Sequence, residues 1–135
     1  MALSADRNTP EKDGVMRDVG VAATAVCYAG GLACRNATGY ATPGATATTL
    51  KAIGRFEETV DNSAGADGAV TVKVKKGVFR FANSAAGDAI AAADIGNDCY
   101  IVDDETVAKT DGTGTRSIAG KIFDVDAQGV WVAVG

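Results

Sequence analysis

The amino-acid sequence predicts an all-β protein: a small antiparallel β-sandwich or barrel, with a jelly roll left open among its topologies, and an extended N-terminal arm. Three observations carry this. Apolar and polar side chains alternate in Val70-Thr71-Val72-Lys73-Val74-Lys75 and again in Val78-Phe79-Arg80-Phe81, and successive strand side chains point to opposite faces of a sheet. Aromatic residues make up only 6%, while the hydrophobic 47% leans on alanine and valine and 17 glycines supply turns. Such a composition suits thin strands and many loops better than a helical bundle. Turn signals recur often enough for about eight to ten short strands.

The two alternating runs disagree in parity. Val70, Val72 and Val74 share one face, and Phe79 and Phe81 fall on the other. If all five line one core, a residue must be absorbed at Lys76-Gly77, as a bulge or as a three-residue Lys-Lys-Gly hairpin loop.

At 135 residues the length fits one domain with a sizeable core. It divides into an arm over residues 1–18 and a single β domain over 19–135, with no internal repeat evident. Residues 1–18 are polar and charged without apolar periodicity, so they cannot fold alone; they either stay disordered or order on a partner. Val19 to Tyr28 reads as a first strand that ends at Gly30-Gly31. Leu32–Arg35 and Tyr40–Thr42 form a hairpin around Asn36-Ala37-Thr38-Gly39, residues suited to turn geometry. Leu50 to Val60 is a longer strand whose period slips at Gly54, as at a bulge.

The loop Asp61 to Gly68 lacks the ligand order of a calcium loop and reads as solvated by its own Asx turns. Alanine-rich Ser84 to Ile95 has room for a helical turn or two. Cys99–Val102 and Thr106–Lys109 pair around Asp103-Asp104-Glu105. Ile118–Asp126 and Val130–Val134 close the chain through Ala127-Gln128-Gly129. Trp131 lies opposite the face of Val130, Val132 and Val134, and either covers a second sheet or stands exposed for contact.

The residues that usually carry chemistry are scarce. Histidine is absent, which removes the commonest general base and zinc ligand. Cys27, Cys34 and Cys99 are odd in number without a C-x-x-C spacing, as buried free thiols would be. The Asp103-Asp104-Glu105 run reads as a solvated turn, and Asp111-Gly112-Thr113-Gly114-Thr115-Arg116 lacks the Lys-Ser/Thr of a phosphate loop. No enzyme activity, cofactor or metal is expected. A net charge of −4 with scattered cations argues against nucleic acid. The uncharged run Val19 to Cys34 is shorter than the ~20 residues of a spanning helix, and the start lacks a signal peptide's apolar stretch, so no membrane partner is expected.

Four segments carry a family resemblance. They are Ala2-Leu3-Ser4-Ala5-Asp6-Arg7-Asn8-Thr9-Pro10; Val60-Asp61-Asn62-Ser63 through Gly77-Val78-Phe79-Arg80-Phe81-Ala82-Asn83-Ser84; Asp94-Ile95-Gly96-Asn97-Asp98-Cys99-Tyr100-Ile101-Val102-Asp103-Asp104; and Ala119-Gly120-Lys121-Ile122-Phe123-Asp124-Val125-Asp126 with Gly129-Val130-Trp131-Val132. Together they resemble the capsid decoration, or cement, proteins of tailed bacteriophages and Mu-like prophages. The resemblance implies a non-enzymatic virion protein on the capsid exterior, assembled in the bacterial host cytoplasm. It further implies a homotrimer that stabilises the head by bridging copies of the major capsid protein. Candidate contact residues are Arg7, Asn8, Thr9 and Pro10 in the arm, Lys73 and Lys75 on the polar strand face, and Trp131. A head–tail or tail-associated structural protein fits the same absences. A carbohydrate- or host-binding module would need two of Trp131, Tyr40 and Tyr100 exposed together.

Overall fold

The computed structural model describes residues 2–12 and 14–135. Of the expected arm, Met1 and Asp13 therefore lie outside the described residues. The strands are β1 (Met16–Gly20), β2 (Val26–Cys27), β3 (Leu32–Arg35), β4 (Ala41–Pro43), β5 (Lys51–Phe56), β6 (Val60–Asp61), β7 (Thr71–Lys75), β8 (Gly77–Phe81), β9 (Asp98–Ile101), β10 (Val107–Ala108), β11 (Ile118–Asp126) and β12 (Gly129–Val134). Their ladders are antiparallel. The alanine-rich stretch makes two short 3-10 turns, Ala86–Asp88 and Ala92–Asp94. The protein is thus all-β with antiparallel sheets.

Two five-stranded sheets, ordered β1-β7-β5-β3-β4 and β10-β9-β11-β12-β8, stand beside a β2-β6 ribbon. The wiring of the two sheets is the same. In each, the first strand in the chain pairs with the fifth, the fifth with the fourth, the fourth with the second, and the second with the third. In each sheet the residue just past the first strand also makes a parallel bridge at the third strand or just before it, Val21 to Ala41 in one and Ala82 to Thr106 in the other.

Matching positions do matching work. Val19, Ala33, Ala41, Ile53, Phe56, Val72 and Val74 line the core of the first sheet. Phe81, Cys99, Val107, Ala119, Ile122, Val130 and Val132 hold the corresponding places in the second. In the fourth strand of each sheet a glycine lies against the fifth strand. A Cβ on Gly54 would overlap the Lys75 carbonyl, and one on Gly120 the Ala133 carbonyl. The register slips beside each glycine, so Ile53 and Phe56 reach one core despite a spacing that a regular strand would split between faces. The expectation of no internal repeat is therefore corrected: the chain repeats a five-stranded unit, although Gly54-Arg55-Phe56 and Gly120-Lys121-Ile122 keep only the glycine identical.

This wiring also explains the parity break. β7 belongs to the first sheet and β8 to the second, with Lys76 between them. Val72 and Val74 line the first core, Phe81 the second with Phe79 packed against it, and Val70 is exposed. A crossing between two sheets, rather than a bulge or a hairpin, reverses the pattern. The expected arm is shortened in the same way, because Met16, Arg17 and Asp18 pair with Lys75, Val74 and Lys73. Burial of Val19 and Val72 on either side of that ladder draws the strand onto the body.

The two units are not independent. β3 buries Ala33 in the first core while Leu32 and Cys34 enter the second, joined by Leu50 and Ala52 from the edge and outer face of β5. The loop after β6 is tied down rather than merely solvated. The Asp61 carboxylate accepts the Ser63 N–H at 2.8 Å as an Asx turn. Asn62, only 3% exposed, donates from its amide nitrogen to the carbonyls of Val21, Ala22 and Ala66 at 3.2, 3.0 and 3.0 Å. Asn62→Ala orphans those buried acceptors and is expected to cost about 2 kcal/mol, measured as a lower urea midpoint. An unchanged midpoint would show that the loop contributes nothing to holding the β1 end.

Candidate functional site

The seam between the units forms a groove of about 510 Å³ lined by Gly30, Arg55, Lys75, Val78, Phe79, Arg80, Phe81 and Trp131. Strand pairing supplies each wall. Arg55 and Lys75 face each other across β5 and β7, an arrangement of like charges that is unfavourable unless compensated. Glu57 compensates it: its carboxylate accepts from Arg55 Nε and the second guanidinium nitrogen at 2.8 and 3.1 Å. The Arg55 hydrogen bond holds the Glu57 carboxyl below its ordinary range, with the charges of Arg55 and Lys75 adding to the effect. The Arg55 guanidinium in turn lies 4.3 Å from the centroid of the Phe79 ring, so the first unit's cation packs on the second unit's aromatic.

On the other wall, Arg80 of β8 sits opposite Trp131 of β12 with its guanidinium 5.6 Å from the indole. Trp131 is half-buried on the outer face of its sheet, and its indole N–H donates to Asp126 at 2.8 Å. That bond, with the Gln128 and Gly129 N–H groups, holds the Asp126 carboxyl below its ordinary range. The same carboxylate pins the two-residue Ala127-Gln128 turn, which is why Gly129 belongs to β12 instead of the loop.

At Gly30 the groove meets a second hollow of about 470 Å³, lined by Tyr28, Ala29, Gly30, Gly31, Asp104 and Glu105. Backbone bonds fix this junction: Gly30 N–H to the Phe56 carbonyl at 2.8 Å, Gly31 N–H to Tyr28 at 3.0 Å, and Leu32 N–H to Asp104 at 2.7 Å. One end of the joined surface is cationic and aromatic, the other acidic. Among the described residues Lys75, Arg80, Asp104 and Glu105 form no direct ion pair, although the charges of Lys75 and Arg80 act on the nearby carboxylates of Glu57 and Asp126.

The candidate contact residues fall in three places. Lys75 and Trp131 line the groove together. Lys73 lies outside it, exposed and paired with Asp18 of β1 at 3.2 Å. Arg7, Asn8, Thr9 and Pro10 are exposed in the arm, where Arg7 donates to the Thr9 hydroxyl at 2.7 Å. Trp131, Tyr40 and Tyr100 do not gather: Tyr40 packs beside Gly20 and Gly68, and Tyr100 lines a different hollow with Arg116 and Ile118. Sequence reasoning missed Arg55 and Arg80, and it assigned Phe79 wholly to the core.

All three cysteines are free and buried. Burial, with the nearby Asp104 charge adding to it, pushes the Cys27 thiol up to about 11. Burial pushes Cys34 and Cys99 up to about 12, which makes them poor nucleophiles. Asp103 accepts the Glu105 N–H at 2.9 Å, the bond of an Asx turn. No helix of the described residues is long and apolar enough to cross a membrane. No family model, curated protein or solved structure matches the chain.

Proposed function

We propose that this chain is a capsid decoration protein: a homotrimer on the outside of an assembled phage head that stabilises the shell by bridging major capsid protein subunits. The observation that carries the reading is the arm. Ala2 to Lys12 are exposed at every residue, Leu3 at 73%, and the chain then enters β1, which is paired along its length to β7. An unpacked extension anchored in a two-core body suits a protein that adheres to a large surface, and the family resemblance of the sequence points the same way. Binding only to the assembled shell stabilises that shell by linkage. Three linked copies gain avidity from modest single contacts.

The test is occupancy. A chain lacking residues 2–12, co-expressed with the major capsid protein of its particle, is expected to decorate purified shells at least about tenfold less densely, while its melting temperature stays that of the intact chain. Full occupancy without the arm would overturn the assignment of the arm. A ring-sized copy number instead of a shell-wide one would make the protein a connector.

A further inference from the structure

We propose that β8 receives an extended segment of the major capsid protein as an added strand, so that the second sheet continues into the shell. The inference deepens the proposed function and rests on it for the identity of the partner. β8 is the last strand of its sheet and pairs only with β12. Just past its end the Ala82 N–H donates to the Glu105 carbonyl, and the Ala82 carbonyl accepts from the Val107 N–H, so the backbone groups of Ala82 point away from β12. Alternate residues of a strand direct these groups to the same side. Val78 and Arg80 therefore present their N–H and C=O groups along the open edge, where, among the described residues, no hydrogen bond reaches them.

Four consecutive residues, Val78 to Phe81, line the seam groove. Their side chains alternate between faces, so the groove follows the edge of the strand rather than one face, and four residues offer ~13 Å of main chain. The charges of Lys75 and Arg80 already act on Glu57 and Asp126. What the edge has to offer is backbone, and a row of open backbone groups selects a polypeptide strand. Gly30, Arg55 and Lys75 of the first unit wall the groove opposite β8, which leaves room for a single extended segment. The β8 of a second copy, recessed in its own groove, cannot enter. The matching edge of β1 is lined by Lys12 and Gly14 of the chain's own arm. That arm also fixes the source of the added strand. It joins the body at Val15, whose carbonyl accepts the Lys76 N–H immediately before β8, and Val15, Gly77 and Val78 share a hollow of about 340 Å³ that meets the groove at Val78. The surface that holds the arm therefore runs alongside the open edge.

The experiment compares the full chain free in solution with the full chain on purified shells of the major capsid protein, by hydrogen exchange resolved to single amides. The Val78 and Arg80 amides are expected to exchange at least about tenfold more slowly on the shell, while those of Phe79 and Phe81, on the β12 side, stay slow in both states. Val78→Pro deletes one N–H of the open edge and leaves the β12 ladder intact. It is expected to keep the wild-type melting temperature and to decorate shells at least about tenfold less densely, whereas Val78→Thr, which keeps the N–H, decorates as wild type does. If the proline variant fails to fold, the exchange of the wild-type chain decides alone. Unchanged exchange at Val78 and Arg80 on decorated shells, amides already protected in the free chain, full decoration by a folded Val78→Pro, or an equal loss in Val78→Thr would overturn the added strand and leave the decoration reading intact. A wild-type chain that does not decorate shells would overturn both.

Discussion

Gly120→Ala is expected to cost about 3 kcal/mol, and Gly54→Ala about as much, lowering the thermal midpoint on the order of 10 °C. Each glycine faces the backbone of the neighbouring strand, where a methyl group would occupy the space of a carbonyl oxygen, Ala133 for one and Lys75 for the other. Neither strand can step aside easily, because Ile122 and Phe56 lie two residues on and are packed in their cores. Glycine inside a strand commonly marks such a close backbone approach. Gly87→Ala is the control, since a Cβ there meets nothing within 4 Å, and its midpoint is expected to match wild type. Midpoints of Gly54→Ala and Gly120→Ala indistinguishable from that control would refute the close approach.

Leu32→Ala is expected to cost roughly 2–5 kcal/mol and to separate the unfolding of the two units. Leu32 is 0% exposed. It belongs to a strand of the first sheet yet fills the core of the second, so its removal leaves a cavity at the shared boundary. The remaining bridges there, Cys34, Leu50 and Ala52, are smaller or only partly buried. Urea titration followed by Trp131 fluorescence, which reports the second unit, and by far-UV circular dichroism, which reports both, is expected to give coincident transitions for wild type and separated ones for the variant. Coincident, unshifted curves would mean that the units cohere through other contacts.

Much of the fold was legible because its signals are local. The hairpins β3-β4 and β9-β10 lie close in sequence around turn residues, and β7, β8 and β12 alternate openly. The slip at Gly54 was readable from the period alone. The pairing of β1 with β7 and of β12 with β8 spans distant segments, and nothing in the intervening residues encodes it. For the same reason the site was half legible. Lys75 and Trp131 stood out as residue types, but Arg80 meets Trp131 only through the β8-β12 register. The repeat was hidden because a core requires apolar volume rather than identical residues: Ile53 corresponds to Ala119, and Ala41 to Val107.

At Lys76, where the chain crosses from one unit to the other, its two body ends also converge. The Lys76 N–H donates to the Val15 carbonyl at 2.9 Å, and Gly135 lies against Lys76 and the Ile53 carbonyl. Joining residue 135 to residue 15 through a short link and opening the chain at Lys76 would therefore give a circular permutant, starting at Gly77 and ending at Lys75, that keeps every strand pairing. Which unit comes first in the chain is thus interchangeable, while the new ends leave the body where the old ones did, beside the crossing between the units.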